Sequence, residues 1–192
     1  MEAAGVDAII AQGWEAGGHR GSHGPSESFD GVGSMALVPQ VVDAVSVPVI
    51  AAGGIGDGRG VAAAFCLGAS GVEMGTAFLR CPEAATDPMW RQRLRNATDR
   101  DTIVTDAFSG APARIMKSRF AEEMERDHLP FPEFPRMSAL VQPIRQAVAD
   151  PRDASFLPFG QAAPLSKEIP AADLVDLIVH EAQAALRGLA SP

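Results

Sequence analysis

Val6-Asp7-Ala8-Ile9-Ile10-Ala11, followed by Gln12-Gly13-Trp14-Glu15-Ala16-Gly17-Gly18-His19, is an apolar and partly β-branched run that breaks into glycines and a histidine. An apolar run so short reads as a buried strand of a parallel sheet. The same grammar returns in Val47-Pro48-Val49-Ile50-Ala51-Ala52 before Gly53-Gly54-Ile55, and in Gly71-Val72-Glu73-Met74 before Gly75-Thr76. Between these runs lie two helical stretches. One covers 36–45, with Val38, Val41, Val42 and Val45 on one face and Pro39 assigned to its opening turn. The other covers 59–67, opened by Asp57-Gly58 and closed by Gly68. Strand alternating with helix as far as Pro82 predicts right-handed βαβ units in an α/β fold. The three strands then send three loops to one end of the sheet, where α/β folds carry their chemistry.

Beyond Pro82 the strand signal fades, and the chain reads as helices joined by proline-rich loops. Asp87-Pro88 supplies an N-cap and a first-turn proline for a helix to about Ala97. A helix is expected over 112–127, with Met116, Phe120 and Met124 on its packed face. A further one is expected over 138–149, starting late or kinked at Pro143, and a terminal one over 170–186. That last helix is expected to turn Leu174, Val175, Ile178 and Ala182 inward, with Gly188 just past its end.

A formal net charge of −8 leaves nothing to meet a phosphate backbone or an anionic bilayer, so neither nucleic acid nor membrane is an expected partner. No apolar run is long enough to cross a bilayer and the first residues lack a signal-peptide pattern, which makes the cytoplasm the expected location. Two cysteines cannot build a disulfide framework. Cys66, within the apolar 61–67 stretch, is expected to be a small core residue.

The glycine loops suit a phosphate. Backbone amides exposed by Gly53-Gly54 and Gly75-Thr76, at adjacent parallel strand ends, make an anion cradle, with tight turns as the purely structural alternative. His19 follows two glycines at the end of a strand-following loop, where an imidazole meets ligand and titrates near neutrality. His23 lies four residues on, but Arg20-Gly21-Ser22 is not helical and no third ligand is evident, so no metal is expected. His128 and His180 read as surface or packing positions. Glu15 is expected to lock its loop. Ser109-Gly110 lacks the spacing of a nucleophile elbow, so a serine hydrolase is not supported.

These motifs resemble the FMN-dependent nitronate monooxygenases, once called 2-nitropropane dioxygenases. The resemblance runs through Gln12-Gly13-x-Glu15-Ala16-Gly17-Gly18-His19, Pro48 to Ile55, Leu67-Gly68-Ala69 and Met74-Gly75-Thr76-x-Phe78. It continues through Phe108-Ser109-Gly110-x-Pro112-Ala113-Arg114 and Gly160-Gln161, and so covers nearly the whole chain. It implies a TIM (β/α)8 barrel flavoprotein, an oxidoreductase that oxidises alkyl nitronates or nitroalkanes with O2 to a carbonyl compound and nitrite. By the same resemblance Gln12, Gly17, Gly54, Glu73, Met74, Gly75 and Thr76 contact FMN, and His19 is the catalytic histidine. The nearest enzyme alternative is the related FMN-dependent enoyl-acyl-carrier-protein reductase, which shares the Glu-Ala-Gly-Gly-His and Gly-Gly-Ile loops. A truncated, inactive remnant is the non-enzyme alternative.

The sequence departs from that pattern twice. The family commonly has glutamine where this chain has Glu73, so weaker or altered flavin binding is expected. The barrel has eight strands, of which about three, the last ones, are present. The expectation is a C-terminal portion of a longer enzyme or a truncated gene product, partnered by the missing N-terminal barrel half or forming a homo-oligomer. Residues 1–82 would be the C-terminal part of the FMN-binding barrel and residues 83–192 a mainly helical cap segment.

Overall fold

The computed structural model describes residues 2–21, 30–127 and 131–190. The chain divides into two compact units. One comprises Met1–Ala16, Gly31–Asp99 and Gln161–Pro192, the other Gly17–Asp30 and Arg100–Gly160.

The first unit holds a three-stranded parallel sheet of β1 (Ile9–Gln12), β3 (Val49–Ala52) and β4 (Gly71–Glu73), in the order β1-β3-β4. Strand β2 (Gly18–His19) belongs to the other unit. Helices α1 (Ser34–Ala44) and α2 (Gly58–Cys66) form the connections between successive parallel strands, as the alternation predicted. One face of the sheet carries Ile9, Ala11, Val49 and Ala51, all buried, and the last three pack with Val38, Val61, Ala64, Leu174 and Ile178 into one core. Ile10 points to the opposite face and is 56% exposed, because alternate residues of a strand face opposite ways.

Asp57 starts α2 by accepting hydrogen bonds from the amides of Arg59 and Gly60, at 3.0 and 3.3 Å. Burial works against its charge. The Arg59 guanidinium and the two amides outweigh that effect and hold the carboxyl below the usual range. The Gly58 amide bonds to Glu181 of α6 (Ala171–Ala190), so side chains of this unit satisfy the first amides of α2. Helix α3 (Pro88–Arg95) is capped by Asp87, as its sequence indicates.

Several local expectations are corrected. The first strand begins at Ile9, leaving Val6 exposed before it. Pro39 lies inside α1 rather than in its first turn, because α1 already starts at Ser34. Cys66 is exposed: it ends α2 on the outward side, while Val61, Ala62 and Ala64 face the core. The terminal helix continues through Gly188 to Ala190, and Val175 is 46% exposed while Leu174, Ile178 and Ala182 are buried. Those three buried residues recur every four positions, and Val175 falls one step off their stripe.

The second unit departs further from expectation. In place of a helix from Pro112, it contains the antiparallel strands β5 (Thr102–Thr105) and β6 (Ala113–Met116), with β2 pairing the other edge of β6. Helix α4 starts only at Arg119 and runs to Asp127. The β-branched run Thr102-Ile103-Val104-Thr105 favours a strand, and pairing with it draws Ala113–Met116 into extended backbone, all four residues buried. The segment beyond residue 82 thus carries, besides its helices, two strands that the sequence reading did not anticipate. Helix α5 (Arg136–Ala147) starts before Ser138 and keeps Pro143 within it. Phe120 and Met124 pack with Phe108, Ile115, Met137 and Val141 into the core of this unit, so these two members of the expected stripe are packing, while Met116 is buried in β6 instead of on the helix.

Candidate functional site

The candidate residues fall in both units. In the first, parallel pairing places Gln12, Ala52 and Glu73 in one cross-strand row at the C-terminal ends of β1, β3 and β4. Residues in such a row share a face, at roughly 4.8 Å per strand step, so the side chains of Gln12 and Glu73 flank that of Ala52. Glu73 and Gly75 are exposed; Gln12, Met74 and Thr76 are half-buried. The loops beginning at Gly13, Gly53 and Met74 leave the sheet from this same end, as its parallel direction requires.

Glu15 ties the first two of these loops to the start of α1. Its carboxylate accepts from the Ser34 amide at 3.0 Å and from the Ser34 hydroxyl at 2.9 Å, and that hydroxyl lies 2.6 Å from the Gly53 carbonyl oxygen. The carboxylate thus occupies the N-terminal amide of α1, a favourable place for a negative charge. Glu15 is a lock, as expected. With Glu15 on α1 and Asp57 with Glu181 on α2, both of those helix starts are satisfied from within the chain.

The loop after β4 differs. Gly75 precedes a 3-10 helix, Thr76–Arg80. A Cβ built on Gly75 would meet nothing within 4 Å, so an anion or a flat ring has access to the backbone there. Gly53 and Gly54 adopt φ of +90° and +76°, conformations that favour glycine. Backbone at Gly54 and Gly75 lies at this end of the sheet, with Gln12 in the adjoining row, and backbone donors of this kind suit a phosphate-bearing group.

In the second unit β2 pairs antiparallel with β6, Gly18 opposite Arg114 and His19 opposite Ala113. His19 Nε2 lies 2.9 Å from the Oγ of Ser109, a buried residue ninety positions away in sequence. Ser109 sits in the β5–β6 connection, where its amide and that of Gly110 bond to the Asp106 carbonyl and Gly110 adopts φ +79°. Phe134 meets the His19 ring edge-on with centroids 6.0 Å apart, and Phe156 lies tilted at 5.7 Å. His19 keeps solvent access, yet burial on its other side holds the imidazole below its ordinary pKa. The neutral ring, a base, is favoured at neutral pH.

Gly17 also lies in this unit, and its glycine has a packing cause. A Cβ there would come within 2.4 to 2.6 Å of the backbone of Phe159 and Gly160. Among the described residues no three His, Cys, Asp or Glu side chains gather as metal ligands; His23 and His128 lie outside them, and His180 is exposed on α6. Sequence reasoning had no sign of Phe134 or Phe156 beside the imidazole. It dismissed Ser109 as a nucleophile without seeing it as a partner for His19; the compact Phe-Ser-Gly-x-Pro-Ala-Arg motif was the available signal.

Parallel strands joined by helices and opening into glycine loops define an α/β protein. A family model described as nitronate monooxygenase matches residues 1–181, and the chain belongs to that family. A probable nitronate monooxygenase of Staphylococcus aureus (strain MSSA476) is 46% identical over 183 residues, covering 94% of this chain and 52% of that protein. Among solved structures, nitroalkane oxidase from Streptomyces ansochromogenes is 39% identical with TM-score 0.90, covering 98% of this chain and 55% of the other. FabK from Thermotoga maritima is 37% identical with TM-score 0.78, covering 98% and 58%. The chain spans about half the length of the curated relatives it matches.

Proposed function

We propose that this sequence forms the flavin-binding and proton-handling part of an FMN-dependent nitronate monooxygenase, which converts alkyl nitronates or nitroalkanes and O2 into a carbonyl compound and nitrite. FMN, when bound, supplies the electron-accepting ring that no side chain can replace. Gln12, Gly17, Gly54 and the Glu73, Met74, Gly75, Thr76 segment are its proposed contacts, with residues 1–82 as the cofactor-binding portion and residues 83–192 as the segment that completes the enzyme. The open space at Gly75 supports this assignment.

The observation carrying the reading is the His19 imidazole set beside two phenylalanine rings, with burial lowering its pKa. Such a base can take the α-proton of a nitroalkane, and its protonated form can then hold the anionic nitro group. The apolar rings beside it suit the alkyl portion of such a substrate. The rest of the flavin wall would come from further barrel strands, in the same protein or a partner chain. The test is nitrite release from an alkyl nitronate by the FMN-supplemented protein, alongside the absorbance of bound flavin. A colourless preparation that releases no nitrite would refute the proposal.

The match to FabK favours one second reading, an FMN-dependent enoyl-thioester reductase. NADH consumption with a crotonyl thioester, without nitrite release from nitronates, would put that reading first.

A further inference from the structure

We infer that Phe134 is a specificity-determining residue, whose exposed ring receives the tail of a straight-chain nitroalkane and so favours longer neutral alkyl tails over short ones. Phe108, Phe120, Phe131 and Phe156 are buried or half-buried and pack into the core of the second unit, and Phe159 is fully buried. Among the described phenylalanines of this unit, Phe134 is the one left mostly to solvent, 60% exposed. A single exposed apolar side chain is ordinary on a protein surface, so exposure alone assigns nothing. The role follows from where the ring is held.

The Phe134 amide donates to the Gly110 carbonyl at 3.1 Å. A Cβ on Gly110 would come within 2.2 Å of the Pro132 carbonyl oxygen and 2.6 Å of Glu133 and Phe134 backbone, so the 132–134 segment lies this close only against a glycine, here at φ +79°. Gly110 directly follows Ser109, whose Oγ is 2.9 Å from His19 Nε2. One short connection thus anchors both the imidazole and the ring set edge-on to it, with centroids 6.0 Å apart. Phe134 is therefore fixed in place while adding little to the core. A nitroalkane whose α-carbon meets the imidazole runs its next carbons along this ring. Each carbon laid there removes apolar surface from water on both partners, so the gain grows with the tail. Phe156, half-buried and packed on Phe108, walls the imidazole without offering such a free surface.

The inference rests on His19 as the base of the proposed reaction, and the experiment separates the two. Nitrite release by the FMN-supplemented protein is followed for primary nitroalkanes from nitroethane to nitrohexane, at a pH where the imidazole is neutral in every variant. In the parent chain each added methylene is expected to raise kcat/KM by about two- to fourfold, the gain from covering part or all of its surface. In Phe134→Ala that gain vanishes while nitroethane is little changed, whereas a ring that served the fold alone would lower every substrate alike. Phe134→Leu, which keeps an apolar side chain there, gives a shallower series and decides the matter should Phe134→Ala fail to fold. Leu140→Ala, at an equally exposed residue of α5, leaves the series as it is in the parent. A second measurement needs no turnover. Straight-chain alkanoates from acetate to hexanoate are titrated into the protein while the His19 ring signals, identified by their loss in His19→Asn, are followed by NMR. The half-saturating concentration falls with tail length in the parent and stays level in Phe134→Ala. A parent without tail-length dependence in either measurement, or the same dependence in Phe134→Ala, would overturn the inference, and nitrite release with a flat series would leave the proposed function standing. Length-dependent alkanoate binding that requires Phe134, in a protein that releases no nitrite, would uphold the tail site and defeat only the proposed reaction.

Discussion

The imidazole of His19 and the hydroxyl of Ser109 lie 2.9 Å apart although ninety residues separate them in the chain. Antiparallel pairing of His19 with Ala113 brings the imidazole to β6, and the connection preceding β6 carries Ser109. Replacing His19 should therefore cost chemistry more than stability. His19→Ala is expected to lower kcat/KM for a nitroalkane by about 10² to 10⁴, the range of a general base. Nitrite assays give that loss, and a thermal melt close to that of the parent shows that the fold survives.

The pH dependence follows from the direction of the His19 shift. Burial lowers the folded-state pKa, so the unfolded chain binds the proton first as pH falls. The stability linked to this group is present above the ordinary histidine value and is lost as pH drops from there through the lowered folded value. The acid limb of kcat/KM with a nitroalkane should likewise fall below about 6.5, the ordinary histidine value. Phe134→Ala, which opens one side of the ring, should move that limb upward. A pH-rate profile of the two proteins checks both statements, and a limb that shifts the other way would contradict the burial argument.

Glu15 connects three pieces of chain through Ser34 and Gly53. Glu15→Ala should destabilise the protein by about 1 to 2 kcal/mol, the value of a lost helix cap with a charged hydrogen bond. Urea unfolding measures that cost. Hydrogen exchange should also quicken in the 53–55 loop, which Ser34 would no longer hold in register. Unchanged exchange there would mean that Ser34 alone secures the loop.

Gly17 and Gly75 should part company under the same substitution. Gly17→Ala drives a methyl into the backbone of Phe159 and Gly160 and should destabilise by about 1 to 3 kcal/mol through overpacking. Gly75→Ala meets no atom within 4 Å, at a φ of −88° that alanine adopts readily, so stability should change by no more than about 0.5 kcal/mol. Flavin affinity, read from absorbance titration, should nevertheless fall in Gly75→Ala, because the methyl enters the space proposed for the cofactor. Equal flavin affinity in Gly75→Ala and the parent would remove this loop from the cofactor site.

Glu73 ends β4 beside the Gln12 row, where it adds a negative charge near the proposed flavin contacts. Glu73→Gln keeps the shape and removes the charge. FMN should bind severalfold more tightly to this variant, most clearly at low salt, because screening weakens the repulsion of a partly exposed carboxylate. Titrations at two ionic strengths test this.

What the amino-acid order determined by itself was the parallel half of the protein. Ile9–Ala11, Val49–Ala52 and Gly71–Glu73 are short segments followed closely by glycine, and the second of the two helices between them is opened by Asp57 and closed before Gly68; each signal acts within a few residues. The tertiary structure alone decided the rest. Ala113–Met116 is extended because Thr102–Thr105 and Gly18–His19 offer it backbone partners on both edges, a preference that no local period records. Ser109, Phe134 and Phe156 meet His19 for the same reason. Contacts between residues far apart in the chain depend on strand register and core packing, and these form only when the distant segments come together.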